Sequence, residues 1–320
     1  MRHLSVGVLL LPALSLAACD RSSPTPTPAA SGSAVGSAAA PVETYGVPVG
    51  IPGGPDRVVE AVNARHEKPY AGPRGTLKGH VRIEGDPPPD TNFKFQPNCK
   101  DAAATYGKIF RVGLEHALAD AMVTVTGYQG FVPADAEAQK TTIKGCAVPK
   151  RTITLTYGQR LEVANLDKGD SYLPFLDGAA SRAVMVAVPS GAPVKLYPLE
   201  PVAHYMLRDQ MPSGLVADVF VLKYATHDVT GLDGQYEIKG IPVGKVRVDA
   251  FLPVIVKSEG QELEIKEGDN TLDFTLKFDA KKDLPGPAPT ASASAAPAPA
   301  PAPTAAPLPP GADPLPKLKR

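Results

Sequence analysis

The sequence contains no tryptophan and only three cysteines, and its charges cancel, with 33 Lys and Arg against 33 Asp and Glu residues. A chain without net charge has little long-range attraction for a polyanion, so nucleic acid is not expected as a partner. Gly-x-Ser-x-Gly, His-Glu-x-x-His and phosphate-loop motifs are absent, and no histidines are paired at metal-binding spacing. We therefore predict no catalytic residues and expect a protein that is not an enzyme.

The first 19 residues have the layout of an export signal. MRHLSVGVLLLPALSLAAC has a basic start, an apolar run and small residues at its end, and it is too short for an ordinary spanning helix. Leu16 to Cys19 reads Leu-Ala-Ala-Cys, which resembles the lipobox of bacterial lipoproteins. The resemblance implies a signal peptide over 1–18, cleavage before Cys19, and anchoring to a membrane through lipid on that thiol. An ordinary secretory signal is the alternative.

Low-complexity segments flank the central part of the chain. Residues 19–55 are mostly Ser, Thr, Pro, Ala and Gly, and we expect a disordered tether there. Residues 281–320 are predicted to form an Ala/Pro-rich disordered tail. Between them, 56–74 is predicted to contain a short helix with Asp56 at its cap position and a lead-in to the folded unit at 75–280.

Period-two alternation of apolar and polar residues is the clearest signal between these segments. It is cleanest in Leu77–Glu84 and Leu272–Phe278. Shorter examples are Thr152–Leu155, Leu161–Val163, Tyr236–Ile238, Val246–Val248 and Leu263–Ile265. Continuous apolar runs at Val184–Val188 and Ala217–Leu222 indicate strands covered on both faces. Many short strands with little helical periodicity predict an all-β fold, an antiparallel β-sandwich.

Five motifs in the central part carry a family resemblance. They are Gly75–Val81 (GTLKGHV), Leu118–Val125 (LADAMVTV), Gly145–Pro149 (GCAVP), Tyr157–Asp167 (YGQRLEVANLD) and Val229–Val246 (VTGLDGQYEIKGIPVGKV). Together they resemble periplasmic cupredoxin-like proteins, in which a Greek-key sandwich merges into a carboxypeptidase regulatory-like segment. The resemblance implies such a sandwich over 75–280, with the regulatory-like part at about 217–278 and no catalysis of its own.

The copper ligands of that family have no counterparts here. A blue-copper centre needs two histidines, a thiolate and a weak axial ligand. The matching positions in this chain are Ser171, Asp209, Pro212 and Leu215. The resemblance therefore implies a sandwich that has lost its metal, and we expect no cofactor. Copper bound at a rebuilt site is the alternative, and its candidate ligands are His204, Met206, Met211 and His227.

The two remaining cysteines are predicted to pair. With Cys19 lipidated, Cys99 and Cys146 are left in an oxidising compartment, where a disulfide is the default. Both positions also match family cysteines that can pair. A single thiol acting as a copper ligand is the alternative.

Two further ligand hypotheses rest on residues close together in sequence. Oxygen ligands for calcium are available at Asp167, Asp170 and Asp177. Aromatic rings for a sugar platform are available at Tyr172, Phe175, Tyr197 and Tyr205, although a chain without tryptophan is a poor candidate for carbohydrate binding. A solvated acidic loop is the simpler reading of the first set.

The leading functional hypothesis is a non-catalytic, lipid-anchored envelope protein whose β-sandwich is a binding or structural module. Its folded part would lie in the periplasm or on the cell surface, with another envelope protein or a polysaccharide as the expected partner besides the membrane. A divergent copper-binding or electron-transfer cupredoxin is the alternative. A peptidase accessory domain is a third hypothesis, and it requires a separate catalytic partner.

Overall fold

The computed structural model describes residues 47–180, 185–211 and 213–284, and most of its regular structure is strand, which confirms the all-β prediction. Cys19 and Pro212 lie outside the described residues, as do residues 1–46 and 285–320 of the two predicted tails. The strands are β1 (Arg74–Gly85), β2 (Met122–Thr126), β3 (Ala138–Ile143), β4 (Thr152–Thr156), β5 (Arg160–Asn165), β6 (Pro174–Asp177), β7 (Val194–Leu196), β8 (Ala203–Asp209), β9 (Val216–Leu222), β10 (His227–Val229), β11 (Gln235–Pro242), β12 (Gly244–Leu252), β13 (Lys257–Ile265), β14 (Gly268–Thr271) and β15 (Phe274–Phe278).

Helical structure is short and peripheral. The α-helices are α1 (Pro55–Val62), α2 (Ala102–Tyr106) and α3 (Ala280–Asp283), and single 3₁₀ turns cover Leu114–His116 and Pro253–Ile255. The helix predicted near Asp56 is present, but its N-cap is Gly54, and Asp56 lies in the first turn, where its charge favours the positive end of the helix dipole. Among the described residues, no helix combines the length and hydrophobicity needed to span a membrane.

The strands form two sandwiches, each with its own hydrophobic core. In the first sandwich, sheet β3-β5-β7 faces sheet β4-β9-β8-β6 across a core that includes Leu161 and Val219. In the second, β1 with β11, β14 and β15 faces sheet β10-β2-β12-β13 across a core that includes Val81 and Val248. We call these the first and the second sandwich below.

The division between the sandwiches does not follow the chain. β1 and β2 belong to the second sandwich, whereas β9, which lies at the predicted start of the regulatory-like part, belongs to the first. The Asp233-Gly234 and Pro242-Val243-Gly244 turns do not close hairpins within one sheet, because β10 and β12 lie in one sheet and β11 in the other. Period-two patterning identifies the buried face of a strand and not the sheet that covers it.

Strand direction and one predicted strand differ from expectation. Seven strand pairings are antiparallel, but β1–β14, β1–β15, β3–β5 and β4–β9 are parallel, so the fold is not purely antiparallel. The strand predicted at Val184–Val188 is wrong. Val184 lies outside the described residues, Ala187 makes a single bridge to Tyr172, and Met185, Val186 and Val188 are exposed on a loop. Hydrophobicity alone does not provide the ladder of hydrogen bonds that a strand needs.

A buried carboxylate joins the two sandwiches. Asp120 lies just before β2 and accepts two hydrogen bonds from the Arg111 guanidinium (2.6 and 2.7 Å) and one from the backbone N–H of Arg151, just before β4 (2.6 Å). The side chains of Asp120 and Arg111 are only 7% and 9% exposed. The Asp120 carbonyl also accepts from the Thr152 hydroxyl in β4 (2.8 Å). Strand β2 of the second sandwich is therefore fixed to β4 of the first.

Further contacts extend this junction between the sandwiches. The imidazole of His227 on β10 lies 3.2 Å from the hydroxyl of Thr156 on β4. The ring of Phe220 on β9 meets that of Phe251 on β12 edge to face, with centroids 6.1 Å apart. Both contacts join a strand of the first sandwich to a strand of the second, so they extend the junction beyond Asp120.

We expect Asp120→Asn to lower the free energy of unfolding by about 3–5 kcal/mol, because it leaves the buried guanidinium of Arg111 without a counter-charge. Asparagine tolerates the positive φ of residue 120 (65°), so the change is confined to the charge. The matched control is Asp90→Asn, which removes an exposed ion pair with Lys108 (2.7 Å) and is expected to cost less than about 1 kcal/mol. Urea unfolding measures both, and equal effects would contradict the role given to Asp120.

Candidate functional site

The first candidate site is the end of the first sandwich that holds the disulfide. Cys99 and Cys146 are buried, and their sulfur atoms are 2.07 Å apart, which is bonding distance. Gly145, just before Cys146, has φ of 52°, and a Cβ there would lie 2.7 Å from the backbone N of Asp101. Glycine is therefore required at this point, because the loop passes so close to α2.

A buried tyrosine occupies the space beside the disulfide. The Tyr172 hydroxyl donates to a carboxylate oxygen of Asp167 and accepts from the backbone N–H of Cys146 (3.1 Å). The same carboxylate accepts from the N–H of Gly145 (3.0 Å). Burial raises the pKa of Tyr172, and the hydrogen bond to Asp167 raises it further, so the phenol stays protonated. This network fixes the end of the sandwich and leaves the phenol no capacity to ligate a metal.

The positions that match copper ligands do not assemble a metal site. Ser171 is exposed and Leu215 is buried and apolar, while Pro212 lies outside the described residues. Asp209 accepts from the N–H groups of Leu173 (2.7 Å) and Met211 (3.2 Å) through Oδ1. Its Oδ2 is buried and has no hydrogen-bond partner among the described residues. One hard oxygen is not a donor set for copper, and the residues at these positions do not fit that metal.

The four alternative ligands lie in different surroundings. His204 and Met206 share a face of β8, but His204 Nε2 is 2.7 Å from Asp218 Oδ1 and its ring stacks on Phe220. Met211 is exposed beyond the far end of β8, and His227 is at the junction with Thr156. Within the described ranges, no three His, Cys, Asp or Glu residues are grouped as a metal site would require.

The calcium and sugar hypotheses also lack a suitable arrangement. Asp167 is bonded to Tyr172, Asp170 accepts from the Asn98 amide (3.2 Å), and Asp177 pairs with Arg208 (3.2 Å), so the three carboxylates are engaged separately. The proposed platform rings do not form an exposed row. Tyr172, Phe175 and Tyr205 are buried, and Tyr197 is half-buried against the first core.

A cleft at the side of the junction is lined by strands from both sandwiches. Its volume is about 290 Å³, and its walls come from β3, β4, β10 and the turn at Pro149 and Lys150. β3, β4 and β10 are each the end strand of their own sheet. We call this the edge cleft. It was not found from the sequence, because β3 (AQKTTI) is short and polar and lacks the alternation by which the other strands were recognised.

A larger cleft of about 810 Å³ lies on the outer face of the second sandwich, between β1 and the 3₁₀ turn at Leu114–His116. Its two basic residues are already engaged. Arg82 pairs with Asp273 (3.1 Å), and His80 lies 3.6 Å from the same carboxylate. The acidic side chains of Glu115 and Asp233 also line this cleft, so its charge is mixed.

Comparison with known proteins adds little to this geometry. No family model matches the chain, and no curated protein matches it. Among solved structures, the chain is similar to a Cu-containing nitrite reductase (NirK) from Thermus scotoductus SA-01, with 11% identity and a TM-score of 0.24, over 30% of this chain and 24% of that one. A match of this size defines no family and no activity. The class that the fold itself defines is an all-β protein of sandwich architecture.

The pH dependence of stability tests the burial of the metal candidate His227. Burial lowers its pKa from 6.5 to about 4. Between these values the unfolded chain binds the proton and the folded chain does not, so stability is lost as pH falls from about 6.5 to 4. A shift of this size corresponds to about 3 kcal/mol.

We therefore expect His227→Gln to reduce the loss of stability between pH 7 and pH 4 by about 3 kcal/mol, measured by urea unfolding at each pH. His66→Asn, at an exposed histidine, serves as the control and is expected to leave the loss unchanged. An unchanged pH profile in the His227 variant would show that its imidazole is not buried in the neutral form.

Proposed function

We propose that this chain is a non-catalytic, lipid-anchored envelope protein whose sandwiches act as a binding module. The observation that carries the proposal is the end of the first sandwich. There the disulfide and the bonds of Tyr172 and Asp167 lie beside positions that the resemblance assigns to copper ligands, of which Asp209 is half-buried with a buried Oδ2. On this proposal the sandwich keeps a cupredoxin-like frame without a metal site, and it recognises a partner in place of transferring electrons.

The anchor is proposed from the sequence at Leu16 to Cys19, and the membrane is the partner that it implies. A thiol consumed by lipid leaves Cys99 and Cys146 as the only other cysteines, and the two are found within bonding distance of each other. A disulfide is favoured in an oxidising compartment, which supports a location in the cell envelope.

Copper loading separates this proposal from the electron-transfer alternative. We expect residues 20–320, mixed with Cu²⁺ and dialysed, to retain much less than one copper per chain and to show no intense thiolate-to-copper band in the visible spectrum. The proposal would be contradicted if the protein held one copper per chain, lost it in Asp209→Ala and kept it in the exposed control Asp233→Ala. That result would support the electron-transfer alternative.

Metabolic labelling with a radioactive fatty acid tests the anchor. The full chain expressed in a bacterial host is expected to take up label and to fractionate with membranes, whereas Cys19→Ala is expected to do neither. Cys99→Ser together with Cys146→Ser is the matched control, because it removes two cysteines and leaves the proposed lipobox intact. Label in the Cys19→Ala protein would rule out anchoring at this residue.

A further inference from the structure

The outer edge of β3 has backbone groups that no strand pairs. β3 is the end strand of its sheet and bonds only to β5. The carbonyls of Glu137, just before β3, and of Ile143, its last residue, both accept from N–H groups at the two ends of β5 (2.9 Å each). In a parallel ladder alternate residues bond to opposite sides, so the odd-numbered residues face β5. Lys140 and Thr142 therefore direct their N–H and C=O groups into the edge cleft.

The other strands of the cleft are already covered. The same alternation in β4, fixed by the bond from Asp218 N–H to the Arg151 carbonyl (2.7 Å), turns Thr152 and Thr154 away from β9. Both threonines are nevertheless buried, because β10 lies against β4 at the junction. Lys140 is exposed and Thr142 is half-buried. The free edge is that of β3, and the cleft beside it is the space that an added strand would enter.

The rim of the edge cleft is positively charged. Lys150 is partly neutralised, since its ammonium lies 3.7 Å from Asp228 and donates to the carbonyl of Val229. Lys140, which lines the cleft, forms no ion pair with any residue in the described ranges. These lysines favour a negatively charged partner, and the threonine hydroxyls and backbone groups between them favour an extended chain over a compact ligand.

We propose that the β3 edge binds an extended acidic peptide of a partner protein as an additional strand. Main-chain hydrogen bonds to Lys140 and Thr142 would supply affinity, and carboxylates of the partner facing Lys140 and Lys150 would supply selectivity. The inference deepens the proposed function by naming the class of partner, and it rests on that function for the view that the chain is a binding module.

Another long end strand of the described structure has the opposite charge. β13 is the end strand of its sheet and carries Glu259, Glu262 and Glu264. An acidic strand would be repelled there, whereas a basic one would be attracted. The β3 edge and the β13 edge are therefore expected to prefer peptides of opposite charge.

The test measures the binding of fluorescein-labelled octapeptides to the full chain in detergent. One octapeptide alternates Val with Glu, and the other alternates Val with Lys. At the β3 edge, followed through the amides of Lys140 and Thr142, we expect the Val-Glu peptide to bind at least about tenfold more tightly than the Val-Lys peptide at low salt, with the difference shrinking as salt screens the charges. A Val-Glu peptide with every second backbone nitrogen methylated is expected to lose binding, because it cannot donate to the edge of a strand.

Two charge-reversal variants place the site. Lys140→Glu is expected to weaken binding of the Val-Glu peptide about fivefold, an effect typical of an exposed charge. Lys195→Glu is the matched control, because Lys195 is an exposed lysine on β7, the end strand at the other side of the same sheet. It is expected to change affinity less than about twofold. Equal effects of the two variants would place binding elsewhere and overturn the inference.

Amide hydrogen exchange of the unmodified chain gives a readout that needs no variant. The Val-Glu peptide is expected to slow exchange at Lys140 and Thr142 at least about tenfold, while Thr141, already bonded to β5, stays protected throughout. No added protection at Lys140 and Thr142, or tight binding of the methylated peptide, would overturn the strand-addition proposal. Neither result would affect the labelling and copper tests, so failure here is distinguishable from failure of the proposed function.

Discussion

The buried carboxylate of Asp120 is the interaction on which the arrangement of the two sandwiches depends. Asp120 lies just before β2. Its side chain accepts two hydrogen bonds from Arg111 and a third from the backbone N–H of Arg151, just before β4. Burial lowers the pKa of Arg151, and the nearby Asp120 charge opposes this, so the carboxylate also stabilises the second guanidinium. A charge buried to this extent is tolerated only when its partners are fixed, and these partners fix β2 against β4.

The junction also creates the most distinctive surface of the molecule. Since β10 covers the edge of β4, the end strand β3 is left open beside it, and the edge cleft is bounded by strands that are distant in sequence. The disulfide end of the first sandwich has a different character, because its polar groups bond mainly to one another around Tyr172. Internal bonding at one end and unpaired backbone at the edge are the two observations on which the proposed binding role rests.

Much of the fold is readable from local sequence, and its failures have physical causes. The alternating stretch Leu77–Glu84 lies within β1, whose inward residues are buried as the pattern predicts. The same pattern does not reveal that β1 pairs with β11 along one half and with β15 along the other, because pairing partners are set by packing of the whole chain. The polar strand β3 gave no hydrophobic signal, and the apolar run at 185–188 gave a false one. For the site, the disulfide could be predicted by counting cysteines. The edge cleft could not be predicted, because the strands that line it are distant in sequence and meet only in the folded structure.

Native-state hydrogen exchange tests most directly whether the junction makes the two sandwiches one cooperative unit. Core amides of β5, in the first sandwich, and of β12, in the second, would be followed with increasing urea. If the junction couples the sandwiches, the opening free energies of both sets converge on a single value, that of global unfolding. The account would be contradicted if the amides of one strand exchanged while those of the other strand stayed protected at every urea concentration.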